Sequence, residues 1–135
     1  MGYMANSDRE YPGIFITFEG GDGAGKTTQL DLLCAALSER GYGHEPGGTE
    51  LGEQIRRLLL EDRHEEIDPR AELMLFEAAR AQLVSQVIRP ALSQGKVVVC
   101  DRFCDSTVAY QGHGRHLGAE LVDQANRAVT QGLEP

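Results

Sequence analysis

Eight residues near the start of the chain, Gly20-Gly-Asp-Gly-Ala-Gly-Lys-Thr27, fill every fixed position of the pattern G-x-x-x-x-G-K-[ST]. Glycines at this density let successive backbone N–H groups curl round an anion, and a helix opening at Gly25 adds its positive end. The lysine of such a loop reaches the β- and γ-phosphates of a nucleotide, and the hydroxyl after it suits Mg²⁺. Gly20, Gly21, Asp22, Gly23, Ala24, Gly25, Lys26, Thr27 and Thr28 are therefore the candidate phosphate-binding residues. A glycine-rich turn that holds Lys-Thr by accident is the bland alternative, and the strand and helix patterns on either side argue against it. A second pair, Asp101-Arg102, closes the apolar run Lys96-Val-Val-Val-Cys100. A guanidinium in that position is matched to bidentate phosphate contact. The base-reading N-K-x-D of GTPases is absent, and Asp101-Arg102 stands where their D-x-x-G would be. A cation beside the acid suits a second phosphorylated substrate better than a switch sensing one nucleotide.

These residues need elements to hold them. Ile14-Phe-Ile-Thr-Phe18, closed by Glu19-Gly20-Gly21, reads as a buried strand. A helix is expected from about Gly25 to Arg40, with Leu30, Leu33, Cys34 and Leu37 on one face and Gly41 as its stop. Glu50 to Leu60 carries a weaker helical pattern, and residues 61–68 form a charged, solvated connector. Asp68-Pro69 offers an N-cap followed by proline at the first helical position. The long helix it opens should keep Leu73, Phe76, Arg80, Leu83 and Val87 on one face and bend at Pro90. Lys96 to Cys100 is the second strand, and Ser106–Gln111 and Ala119–Thr130 read as helical. Residues 1–13 are polar and read as a disordered lead-in, with 14–135 as one domain. The pattern is that of an α/β domain with a parallel sheet, in which ligands gather at the carboxyl ends of the strands.

Bulk composition narrows the partners. A formal net charge of -8 argues against a general nucleic-acid or membrane-surface binder, which would present a basic field to phosphate. Cys34, Cys100 and Cys104 have neither the number nor the spacing of a disulfide framework or zinc site, so a reducing cytoplasm is the natural compartment. No apolar run approaches the roughly 20 residues a membrane helix needs. His113-Gly-Arg-His116 has no evident third ligand and reads as polar loop.

Four segments in order carry a resemblance: Phe18-Glu19-Gly20 leading through the glycine loop to Thr28; Glu45-Pro-Gly-Gly-Thr49; Leu73-Met-Leu-Phe76-Glu-Ala-Ala-Arg80; and Asp101-Arg102-Phe-Cys-Asp-Ser106-Thr107-Val-Ala-Tyr110-Gln111-Gly112. Together they closely resemble the bacterial thymidylate kinases, from about Ile14 to Pro135. The resemblance implies a P-loop NTPase fold, a three-layer α/β/α arrangement with a parallel sheet, incomplete in this chain. It implies transfer of the ATP γ-phosphoryl group to dTMP with Mg²⁺, and a homodimer. Phe76 would stack on thymine, Arg80 would bond the base or its phosphate, and Arg102 would clamp the acceptor phosphate. Ser106, Thr107 and Gln111 would serve the pyrimidine edge, Tyr110 the deoxyribose, and Glu45 the acceptor side. Asp22 would be an acid near the acceptor sugar and metal, with catalytic weight alongside Lys26 and Arg102. Asp101 would join Thr27 and Asp22 around the ion.

The chain also departs from that family. Between the helix ending near Arg40 and Glu45 only Gly41-Tyr-Gly-His44 intervenes, in place of a full strand. The helix carries the chain about 24 Å from the phosphates at its fixed rise, and five extended residues return at most about 17 Å. Glu45 is therefore expected to fall short of the strands' carboxyl edge unless the helix is shortened. Two strands are visible in the pattern, and the family's later strands and lid lack counterparts, so a truncated chain is expected. The residues alone leave two other readings open: a nucleotide-binding fragment without turnover, and a P-loop kinase acting on another monophosphate or nucleoside.

Overall fold

A computed structural model describes residues 10–21, 23–42, 44–45, 48–62, 64–103 and 116–135. Its sheet is parallel. Strand β1 is Ile14–Phe18, β2 is His44–Glu45 and β3 is Val97–Asp101, in the spatial order β1-β3-β2. Pairing runs from Ile14 opposite Val97 to Phe18 opposite Asp101, so both strands end level. The first four residues of β3 are buried, as a valine-rich run flanked on both sides should be.

β2 corrects the expectation of two strands. Two residues are too few to leave an alternating pattern, so only the pairing reveals it. His44 pairs with Val97 and Glu45 with Val98, which leaves the Glu45 backbone three residues below Asp101. At the rise of a strand that is about 10 Å short of the carboxyl edge.

Helix α1, Lys26–Glu39, begins at Gly25, whose φ of 79° puts it in the left-handed region. Leu30, Leu33, Cys34 and Leu37 lie half-buried on its inner face. Helix α2, Glu50–Leu60, is capped by the Thr49 hydroxyl, which accepts from the Gly52 N–H at 2.9 Å, and Glu50 and Glu53 sit in its first turn. Helix α3, Pro69–Leu83, starts as expected: Asp68 accepts from the N–H groups of Arg70 and Ala71 at 2.9 and 3.4 Å, ahead of the proline.

Pro90 acts through the turn before it. Residues Val84–Ile88 form a π turn that runs into helix α4, Arg89–Ser93. Proline brings no N–H to the helical ladder, and a widened turn accommodates the gap. The buried stripe differs from the expected one. Leu73, Glu77, Val84 and Ile88 are the fully buried positions along this stretch, whereas Val87 is half-buried and Phe76 is 38% exposed. The expected apolar face is thus displaced, because an acid holds one of its inner positions.

The core gathers Val84, Ile88, Ala91 and Leu92 against Val98, Cys100, Phe103 and Leu133. Phe15 meets the Phe103 ring edge-on, with centroids 5.0 Å apart. Helix α5, Ala119–Thr130, buries Val122, Asn126 and Thr130. Arg89 ties three segments together: it donates to the Tyr11 hydroxyl at 2.5 Å and to the carbonyls of Thr130 and Gln131 at 3.0 and 3.3 Å. Packing therefore begins before Ile14, which shortens the lead-in expected over residues 1–13; residues 1–9 lie outside the described set. Gly13 is buried with its N–H on the Leu92 carbonyl at 2.9 Å, and a Cβ there would lie 2.7 Å from Leu92 Cα. The expected helix over 106–111 also lies outside the described residues. Among those described, no helix is long and apolar enough to cross a membrane.

Candidate active site

Level, adjacent ends of β1 and β3 bring the two chemical constellations together. The chain leaving β1 passes through Glu19 and the glycine loop into α1, and the chain leaving β3 passes through Arg102 and Phe103. Backbone and side-chain bonds stitch these exits to each other. The Arg102 N–H donates to the Phe18 carbonyl at 2.9 Å, and its guanidinium NH2 donates to the Gly20 carbonyl at 3.2 Å. The Phe103 N–H donates to Glu19 Oε1 at 2.8 Å. Lys26 Nζ forms an ion pair with Asp101 Oδ1.

Backbone conformation in the loop is the kind glycine supplies. Gly23 and Gly25 both have φ of 79°, with no atom near enough to meet an added Cβ. The limit on substitution there is torsional rather than steric. Arg102 adopts φ of 64°, a left-handed value that costs a residue with a side chain. The strained residue follows the carboxyl end of β3 directly, and its guanidinium turns to the glycine loop.

Thr27 and Thr28 are exposed in the first turn of α1. Phe76 lies exposed on α3, outside the core that its apolar neighbours suggested. Arg80, one turn on, has its side chain only 10% exposed and is engaged inside the protein. Its NH1 donates to Glu77 Oε1 and to Asn126 Oδ1, both at 2.6 Å, and its NH2 donates to the Phe103 carbonyl at 3.0 Å. An arginine in an apolar stripe needs such partners. Burial raises the Glu77 carboxyl above its ordinary value, opposed by the neighbouring Arg80 charge and hydrogen bond. Burial also pushes the Cys100 thiol up to about 11, helped by the negative charges of Asp101 and Glu19.

Asp22, Ser106, Thr107, Tyr110, Gln111 and the Glu45 side chain lie outside the described residues. Three residues of the site escaped sequence reading as participants: Glu19, Glu77 and Asn126. Glu77 had a signal, an acid three residues before an arginine on one helix. Asn126 had none, since 46 residues separate it from Arg80.

The glycine loop thus leaves β1 with Lys26 reaching Asp101 at the end of β3 and Arg102 bonded back to the loop, an arrangement that can place an anion near two cations. Comparison with known proteins agrees. The thymidylate kinase family model matches residues 18–135. A thymidylate kinase from an Exiguobacterium species is 51% identical over 127 residues, covering 91% of this chain and 60% of the relative. One from Pelotomaculum thermopropionicum is 54% identical over 127 residues, covering 91% and 59%. The crystal structure of thymidylate kinase from Ehrlichia chaffeensis superposes with a TM-score of 0.81 at 45% identity, covering 91% of this chain and 72% of that one. The chain thus spans about 60% of the length of the curated relatives it matches. With a P-loop leading from the first strand into a helix, an Asp-Arg pair at the end of the neighbouring strand and a family match across nearly all of its length, the chain belongs to the thymidylate kinase family.

Proposed function

We propose that this chain forms the donor- and acceptor-binding part of an enzyme that transfers the ATP γ-phosphoryl group to dTMP, giving ADP and dTDP. One observation carries the reading: Lys26, in the first turn of α1, pairs with Asp101 at the end of β3, and Arg102 bonds back to the Gly20 carbonyl of the loop. A γ-phosphate held by the loop would lie beside the cation expected to receive the acceptor phosphate. An acceptor phosphate oxygen attacks the γ-phosphorus, the bond to the β–γ bridging oxygen breaks, and ADP leaves. Little covalent work falls to the protein, so its contribution is positioning and charge neutralisation.

Within this reading residues 14–135 are the N-terminal part of a P-loop kinase domain. Residues Gly20 to Thr28 hold the triphosphate, and Lys26 and Arg102 take the negative charge that develops in transfer. The exposed ring of Phe76 receives the thymine face. Ser106, Thr107, Tyr110, Gln111 and Glu45 complete the acceptor side, Arg80 supports its phosphate end through the Phe103 carbonyl beside Arg102, and Asp22 serves the acceptor sugar. Mg²⁺ belongs to the same proposal. Thr27 and Asp101 supply hard oxygen donors that suit it, with Asp22 as a third. When bound, such an ion neutralises charge on the β- and γ-phosphate oxygens. The reading also carries a cytoplasmic homodimer that does not bind nucleic acid, in keeping with the net charge of -8.

Titration calorimetry on the full chain tests the assignment. Lys26→Ala should lower ATP affinity; Arg102→Ala should weaken dTMP roughly tenfold or more while sparing thymidine, which lacks the phosphate. Phe76→Ala should weaken both acceptors alike. Unchanged dTMP affinity in the last two variants would sink the acceptor site. Coupled ADP release with dTMP tests for turnover.

A further inference from the structure

A buried polar chain runs from α3 and α5 to the residue beside Arg102. Glu77 and Asn126 are 3% and 4% exposed, and both accept from the same nitrogen of Arg80. Arg80 passes the constraint on through its other terminal nitrogen, which donates to the Phe103 carbonyl, and its guanidinium carbon lies 5.5 Å from the centre of the Phe103 ring. Phe103 is thereby held from every side: its N–H by Glu19, its carbonyl by Arg80, and its ring by Phe15 and the Arg80 guanidinium. The residue immediately before this clamped one is Arg102, at a left-handed φ that a free chain would leave.

Stability alone gives a poor account of the cluster. A buried ionic group is often replaceable by apolar side chains at no loss, and here Glu77 Oε2 is buried without a hydrogen-bond partner among the described residues. Its carboxyl is raised above the ordinary value by the same burial. What the cluster does supply is a fixed geometry at Phe103. We infer that Glu77 and Asn126 are positioning residues for the acceptor-phosphate clamp, acting through Arg80 and the Phe103 peptide to hold Arg102 in its left-handed conformation. The inference rests on the proposed acceptor role of Arg102.

Binding of dTMP and thymidine is compared by calorimetry on the full chain, with ATP as control, in Glu77→Ala, Glu77→Gln, Asn126→Ala and Asn126→Asp. Both alanine variants should weaken dTMP roughly tenfold while thymidine and ATP stay within about twofold. Glu77→Gln and Asn126→Asp, which keep an acceptor oxygen for Arg80, should recover most of the loss. Should Glu77→Ala fail to fold, the two Asn126 variants carry the same comparison. A parallel fall in thymidine affinity would mean that the cluster serves the base or the fold at large, and would overturn the inference. Unchanged dTMP affinity in the alanine variants would do so too. If the unaltered chain binds neither acceptor, it is the underlying functional reading that fails, and that result precedes any variant.

Discussion

Arg102 and Cys100 stand two residues apart and answer to opposite demands. Arg102 keeps a strained backbone so that its guanidinium can face the loop, whereas Cys100 is a small filler whose thiol is penalised for ionising. The sign of that penalty sets a test. With the folded pKa raised from 9.0 to about 11, Cys100 adds stability below pH 9 that is lost as pH rises toward 11. Unfolding midpoints in denaturant should therefore fall across that interval, and Cys100→Ala should flatten the slope even though it lowers the midpoint overall. Alkylation at pH 8 followed by peptide mass analysis should mark half-buried Cys34 well before Cys100. Rapid native labelling of Cys100 would contradict the burial described here.

At the level of elements, packing before β1 makes the sharpest claim. Gly13 has no room for a methyl group between the Leu92 backbone and the Lys96 carbonyl. Gly13→Ala should cost roughly 1–3 kcal/mol in thermal or urea unfolding, and a neutral result would mean that the segment is not seated against α4. Much of this layer was legible beforehand. The loop, α1, the Asp68-Pro69 start of α3 and the span of α5 all follow from local rules of spacing, capping and periodicity. What stayed hidden depends on partners distant in sequence. β2 is defined only by the strand it joins, and beyond Leu73 the buried stripe lies one position on from where apolar periodicity placed it. Phe76 emerged at the surface and Glu77 went inside because the acid is paired with the Arg80 side chain inside the protein. Arg80 was expected to need a partner, yet Asn126 could not be named, because no local pattern connects α3 to α5.

For the whole molecule, the apolar residues left outside are informative. Leu51, Leu58 and Leu60 on α2, Met74 on α3 and Leu121 on α5 are 38–74% exposed. Exposed apolar side chains on several helices fit the proposed homodimer. Sedimentation velocity at micromolar concentration should give about twice the chain mass, and Leu60→Asp with Met74→Asp should shift it toward the monomer. A monomer mass in the unaltered chain would remove that assembly. The sheet order has a separate consequence. The glycine loop and Arg102, the proposed donor and acceptor anchors, follow directly from strands locked side by side about 4.8 Å apart, and neither strand can slide without breaking the ladder between Ile14–Phe18 and Val97–Asp101. The sheet therefore works as a ruler of fixed length. In the proposed transfer, any part that opens to admit two nucleotides and shuts to exclude water would hang from elsewhere in the protein, while these two strand ends keep their spacing.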